Sequence, residues 1–258
     1  MAERTEYKPG TFSWVDLTTP DQDAAKAFYS ALLGWEANDI AIGDGVFYSM
    51  MTLGGKRVAA ISPQPSQQRD AGAPPAWNSY VTVADADAAS ERAKELGGTV
   101  HAPAWDVMDA GRMAVIQDPQ GAYFAVWQPR GTHGAELVTE VGAFVWNELA
   151  TTDVDGAGAF YGELFGWTLT PVDFAPQRYL VIANGERSNG GITEQPGPQA
   201  AFWLVYFGVA DIDRGIAKVE ELGGRKYSGP IELPMAKIAI VGDAQGAVFA
   251  LYSGTFEP

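Results

Sequence analysis

Two short strands carry the residues best suited to chemistry. Trp14 and Asp16 stand one residue apart, and so do Trp146 and Glu148. Side chains alternate between the faces of an extended strand, so each Trp shares a face with its acid. An aromatic face offers stacking, worth about 0.5–1.5 kcal/mol per pair beyond area burial, and it attracts cations. The acid beside it can accept a hydroxyl or pair with an amine. A buried acid also needs a partner for structural reasons alone, and a neighbouring Tyr, Asn or backbone amide would serve. The residues leave both roles open for Asp16 and Glu148.

The elements that place these pairs are repeated. Thr11–Trp35, TFSWVDLTTPDQDAAKAFYSALLGW, returns as Ala143–Trp167, AFVWNELATTDVDGAGAFYGELFGW. Each copy reads strand, turn, helix, glycine stop. In the first, Phe12, Trp14, Asp16 and Thr18 alternate with Ser13, Val15, Leu17 and Thr19. Pro20 and Asp21 open a helix, Ala24, Phe28 and Leu32 mark its buried stripe, and Gly34 ends it. Strands follow at 46–53, after a GDG turn at 43–45, and at 57–62. Pro63–Pro75 is a polar connector rich in proline. A second unit has the strand WNSYVTVAD, a helix over Asp87–Leu96, Gly97 and Gly98, and strands near 99–105, 112–117 and 122–128. Residues 11–128 thus read as βαβββ twice.

The whole plan then recurs. Trp77, Tyr80, Asp85 and Asp87 correspond to Trp203, Tyr206, Asp211 and Asp213, and DPQGAYFAVW to DAQGAVFALY. Agreement this long marks a tandem duplication. The expected fold is α+β, with two domains, 1–130 and 131–258, each a pair of βαβββ modules in a curved, cup-like sheet. Pro129–Val141 is the expected linker.

Composition removes several functions. The 258 residues carry a formal net charge of −15, and neither half is basic, which argues against nucleic acid and acidic membrane surfaces as partners. The absence of Cys excludes disulfides, thiol catalysis and cysteine metal sites. The polar start, MAERTEYKPG, lacks the features of a secretory signal, so a cytoplasmic protein is expected. No phosphate-cradling glycine motif follows a strand.

The helix ends AFYSALLGW and AFYGELFGW, together with the turns DPQGAYF and DAQGAVF, resemble the vicinal oxygen chelate superfamily. That group includes glyoxalase I, extradiol dioxygenases, fosfomycin resistance enzymes and bleomycin-binding proteins. The pairing of two domains with WVDL and WNEL strands is similar to actinobacterial members, including relatives of a mycobacterial antigen and hydroxylases of antibiotic clusters. The resemblance implies that each domain forms a cup open to a ligand. It also implies where metal-using members place His, Gln or Glu. Those positions fall here on Trp14, Asn78 and Ala125, and on Trp146, Leu204 and Ala250. None of these is a usual metal donor. His101, replaced by Tyr227 in the second half, and His133, in the linker, are expected to be structural or exposed. Neither metal nor cofactor is therefore expected.

Strand parity suggests what occupies the cups instead. Phe12 joins Trp14 and Asp16, Tyr80 and Thr82 join Asn78, and Tyr123 and Trp127 join Ala125. The second cup receives Phe144, Trp146, Glu148, Tyr206 and Tyr252. Such a lining suits a small aromatic or polycyclic metabolite, bound without metal, for antibiotic sequestration or an accessory role in antibiotic tailoring. The alternatives are a tailoring enzyme (hydroxylase, isomerase or lyase) with a cup carboxylate as base, a metal-dependent glyoxalase- or dioxygenase-like enzyme, and an interaction protein whose Trp14 and Trp146 simply fill the cups. Pro103–Met113 reads as a polar rim loop unlike Pro230–Lys237, which suggests that the cups have diverged. A monomer is expected, since two fused domains mimic the dimer common in single-domain relatives.

Overall fold

In the computed structural model, which describes residues 2–43, 45–173, 175, 177–197 and 200–255, the repeated units build two sheets. After the short strand β1 (Ala2–Glu3), the first unit is β2 (Phe12–Thr19), α1 (Gln22–Leu33), β3 (Glu36–Gly43), β4 (Val46–Leu53) and β5 (Lys56–Pro63). A short helix, α2 (Ser66–Asp70), lies in the proline-rich connector. The second unit is β6 (Ala76–Thr82), α3 (Ala86–Glu95), β7 (Thr99–Val107), β8 (Gly111–Gln117) and β9 (Tyr123–Pro129). β10 (Leu137–Val138) sits between the halves and pairs with β1. The third unit is β11 (Phe144–Thr151), α4 (Val154–Phe165), β12 (Thr168–Val172), β13 (Tyr179–Asn184) and β14 (Arg187–Glu194). The fourth is β15 (Phe202–Gly208), α5 (Ile212–Glu221), β16 (Arg225–Leu233), β17 (Ala236–Gly242) and β18 (Val248–Gly254).

Each half forms one eight-stranded sheet, in the orders β3-β4-β5-β2-β6-β9-β8-β7 and β12-β13-β14-β11-β15-β18-β17-β16. Central pairs β2–β6 and β11–β15 are antiparallel, flanked by parallel neighbours. The α+β architecture of paired βαβββ units is present. The four long helices start alike: Asp21, Asp85, Asp153 and Asp211 each accept a backbone N–H of the first turn. Gly34 and Gly166 end α1 and α4 in the left-handed conformation, at φ 76° and 73°. Among the described residues, no helix is long and apolar enough to cross a membrane.

Three local expectations change. β3, exposed along its whole length, supplies the strand that periodicity did not reveal; Asp44, in the turn expected after it, lies outside the described residues. Pro103–Met113 is no loop but most of the β7–β8 hairpin. The buried stripe of α1 is Ala25, Phe28, Tyr29 and Leu33, whereas Ala24 is exposed. The helix is rotated because Tyr29 is drawn to a partner in the other half.

That partner explains the core. Trp77 Nε1 donates to the Tyr29 hydroxyl at 3.0 Å, which donates to Asp243 Oδ2 at 3.1 Å. The duplicate chain runs from Trp203 to Tyr161 at 2.9 Å and on to Asp118 Oδ2 at 2.9 Å. The other oxygen of each acid accepts the N–H groups of its own D-x-x-G turn. Trp35 and Trp167 reach across as well, each donating to a backbone carbonyl, Gly142 and Gly10, at 2.6 Å. Two large buried clusters result, each drawing on both halves: one gathers α1 with α5 and the other α3 with α4. The helical faces of the sheets meet, and the opposite faces are left for the cups.

Replacing Tyr161 with Phe strands Asp118 Oδ2 and the Trp203 indole N–H in the core. A loss of about 1–3 kcal/mol is expected in urea unfolding, with both halves melting in one transition because they share their cores. A change within about 0.5 kcal/mol, the ordinary surface value, would show that the chain carries no weight.

Candidate functional site

The first cup is built on β2. Asp16 faces Asn78 on β6 and Ala60 on β5; Trp14 faces Tyr80, which faces Ala125 on β9. The acid is enclosed by donors. Tyr80 and Tyr48 hydroxyls donate to Oδ2 at 2.8 and 3.1 Å, and Asn78 Nδ2 donates to Oδ1 at 2.9 Å. Trp14 Nε1 donates to the Tyr48 hydroxyl at 2.9 Å. Asp16 is only 4% exposed and Trp14 8%. Burial pushes the Asp16 pKa up, and its bonds from Asn78, Tyr80 and Tyr48 pull against that rise.

The segment between the halves closes this cup further. β2 and β5 pair only from Asp16 and Ala60 onward. Upstream, the N–H groups of Ala135 and Glu136 take the carbonyls of Ser13 and Arg57 at 2.8 and 2.7 Å. Glu136 also pairs with the Arg57 guanidinium at 2.7 Å. Trp127 Nε1 donates to the Thr132 carbonyl, and the Tyr7 hydroxyl to that of Ala135. The first acid is thus buried, with three side-chain donors on its two oxygens.

The second cup repeats the design and leaves it open. Glu148 on β11 faces Leu204 on β15 and Gly191 on β14; Trp146 faces Tyr206, which faces Ala250. The Tyr206 hydroxyl donates to Glu148 Oε1 at 2.9 Å, and Trp146 Nε1 donates to the Tyr179 hydroxyl at 2.9 Å. Tyr179 in turn hydrogen-bonds toward Glu148. Burial pushes the Glu148 pKa up, opposed by the two phenols. Both phenols are themselves pushed up, by burial first and the Glu148 charge second, so they remain neutral donors. Trp146, Glu148, Tyr179 and Tyr252 are half-buried where Trp14 and Asp16 are buried. A cleft of about 1760 Å³ opens over them, bounded on one side by residues 3–9 of the first half. Gly191 permits this: a Cβ there would fall on the Tyr179 phenol.

Not every residue expected in a cup lies in one. The strand register shifts between Phe12 and Trp14, and again between Phe144 and Trp146. A bulge breaks parity. Phe12 therefore turns to the core between the halves, with ring centroids 5.4 Å from Trp167 and 4.9 Å from Trp203. Phe144 joins the buried cluster around α1 and only borders the cleft. Thr82 points away and bonds Ser13 Oγ. Tyr123 is 48% exposed and packs against His101, whose Nε2 meets Gln117 Oε1. His133 is exposed. Asp106 and Arg112 form an exposed ion-pair group with Asp87 and Arg130. Tyr48 and Tyr179, central to the two cups, were missed. Carrying parity along β4 and β13 from their repeat positions would have found them.

The metal-using arrangement does not fit. The rows Ala60–Asp16–Asn78 and Gly191–Glu148–Leu204 offer one carboxylate each, already engaged by phenols. Among the described residues, no three His, Asp or Glu side chains converge as a metal set. A divalent ion wants several oxygen or imidazole donors together.

Comparisons with known proteins agree with this architecture. The sequence profile of the Glyoxalase/Bleomycin resistance protein/Dioxygenase superfamily matches residues 11–126. CFP32 of Mycobacterium tuberculosis, which carries a glyoxylase name, is 44% identical over 255 residues, 97% of each chain. The anthracycline biosynthesis protein DnrV of Streptomyces peucetius is 33% identical over 261 residues, 96% of this chain and 94% of its own. The Mn(II)-bound glyoxalase from Novosphingobium aromaticivorans superposes with a TM-score of 0.66 at 16% identity, covering 97% of this chain and 85% of that one. BphC, a halotolerant catechol dioxygenase, gives 0.65 at 13% identity, covering 97% and 88%. At such identities the structural likeness speaks for the fold alone.

Two substitutions test the cups. Asp16 has a pKa above its usual 3.8, so the folded protein holds this proton more tightly than the unfolded chain. Its contribution to stability is largest in acid and is lost as pH rises through the folded value. The stability deficit of Asp16→Asn against the parent protein should therefore shrink as pH climbs from about 4 toward neutrality. Paired urea titrations read this directly, and a deficit growing with pH would reverse the assignment. Gly191→Ala should displace the Tyr179 ring and lower stability by about 1–3 kcal/mol; an unchanged melting temperature would mean the ring has room elsewhere.

Proposed function

We propose, for a chain that belongs to the glyoxalase/bleomycin resistance protein/dioxygenase superfamily, that its second cup binds a small aromatic or polycyclic metabolite without a metal ion. One observation carries this reading. At the floor of the cleft of about 1760 Å³, Trp146, Tyr179, Tyr206 and Tyr252 surround Glu148, while Glu3, Glu6, Glu186 and Glu194 with Arg4, Lys8 and Arg187 line the rest of its wall. Ligand pockets are concave and mostly apolar, with a few placed polar groups. The size admits a fused ring system, and the aromatic walls favour a flat one. Similarity to a protein named for anthracycline biosynthesis supports a polycyclic ligand, held for sequestration or for an accessory step in antibiotic tailoring. The same reading has the protein working as a cytoplasmic monomer.

A second reading draws on the Glu148 pKa. A carboxyl raised by burial is suited to taking a proton from a bound ligand. A tailoring isomerase or lyase would use Glu148 as base, with Tyr206 and Tyr179 placing the substrate oxygen.

Titration with a planar polycycle such as anthraquinone, in buffer containing a chelator, tests the binding. Saturable binding is expected in the parent protein, weakened about ten-fold in Trp146→Ala and unaltered in Trp14→Phe. Binding that appears only with added divalent metal, or no saturable binding of any polycycle, defeats the proposal.

A further inference from the structure

We infer that Glu148 recognises a hydrogen-bond donor, an N–H or O–H, carried by the aromatic ligand, at the place where the first cup holds Asn78. The inference rests on the second cup being the aromatic site, and it adds what that ligand must present.

The protein contains its own comparison. Asp16 and Glu148 occupy equivalent positions on β2 and β11, each between two phenols and beside a Trp. The residue directly across the antiparallel pair is Asn78 in one sheet and Leu204 in the other. Directly opposed Cβ atoms stand about 4.5–5.5 Å apart, so this residue decides what meets the acid from that side. In the first cup it is an amide N–H, donating to Oδ1 at 2.9 Å while both phenols share Oδ2. In the second it is an isobutyl group that cannot donate. Among the described residues, Glu148 receives the two phenols and no third donor, and it joins no ion pair. An ionised carboxylate offers about four acceptor sites, and a half-buried one binds most favourably when they are filled. On the parallel side, Gly191 stands where Ala60 stands beside Asp16, which removes a methyl group from the same neighbourhood. The space a side chain at Gly191 would take is filled by the Tyr179 phenol, so it is the exchange of Asn for Leu that leaves the acid, beside the cleft, without its third donor. A ring lying on Trp146 with a hydroxyl or amino substituent directed to Glu148 would complete the set that Asn78 completes in the first cup.

The test uses the full chain and three anthracenes that differ in one substituent: aminomethyl, hydroxymethyl and methyl. Fluorescence polarisation gives each affinity. The two donors should bind about ten-fold more tightly than the methyl compound, although the methyl compound is the most apolar. Leu204→Asn should erase this preference, because the new amide occupies the acceptor as Asn78 does. A gain for the amine that shrinks with salt identifies a cationic donor; equal gains identify a neutral one. Equal affinity of all three for the parent protein overturns the inference while leaving aromatic binding intact, and so does an unchanged preference in folded Leu204→Asn. Failure of all three to bind removes the aromatic site itself. If Leu204→Asn does not fold, the comparison on the parent protein still decides.

Discussion

The fold turns on two buried aspartates that must not be left alone. Asp118 and Asp243 sit in the turns that lead into β9 and β18, in the space between the sheets. An unpaired carboxylate there would cost several kcal/mol. Each uses one oxygen to hold its own turn and offers the other to a tyrosine of the opposite half. The tyrosine is fixed by a Trp indole from its own sheet. This cross-linking explains why the FY helix and the D-x-x-G turn recur together along the chain. They are two ends of one interaction, supplied by different domains. It also explains why the aromatic residues of α1 and α4 stack so densely, with Tyr29 on Trp35 and Tyr161 on Trp167.

Once the helical faces are committed to each other, the other face of each sheet has to be covered or used. The two halves answer this with the same Trp, Tyr, acid and Tyr. In the first half the acid is short, a third donor stands opposite, and the segment from Thr132 to Glu136 fills the space where β2 and β5 part. In the second half the acid has one more methylene, the opposite residue is Leu, and a glycine lets the Tyr179 ring lie across β14. Desolvation raises both acids, but only the second has an open approach. Duplication thus provides a closed version of the site, whose satisfied network helps explain the open one.

Much of this was legible in the sequence. The repeat, the capping aspartates, the glycine stops and the Trp-x-acid strands specify local geometry through short-range rules, and the structure keeps them. The helix stripe was misplaced by one position, because Tyr29 is buried for a partner more than two hundred residues away in sequence, and periodicity carries no such information. Phe12 leaves its own cup for the core, and Phe144 is buried at the edge of the second cleft, because parity holds only while a strand is regular and both precede a bulge. Tyr48 and Tyr179 went unseen because neither strand marks its inward side: β4 mixes polar and apolar residues on both faces, and β13 is apolar on both up to Asn184. Pro103–Met113 looked like a loop because its proline and charged residues suit an exposed edge strand as well as a turn.

The choice of phenols as neighbours for the acids has a chemical consequence. A lysine or arginine in their place would neutralise the carboxylate and hold it firmly ionised. A histidine beside it would begin a metal site. Phenols donate a hydrogen bond without adding charge, and beside a carboxylate their own ionisation is pushed further out of reach. Among the described residues no cation pairs with Glu148, and burial beside the aromatic rings pushes its pKa up. In the first cup the same arrangement is buried and ties β2 to β4 and β6. In the second the acid, held by two phenols, faces a cleft lined in part by aromatic rings. The step from the sealed arrangement to the open one needs no new catalytic group. It needs only the loss of one internal donor and of the chain that covered it.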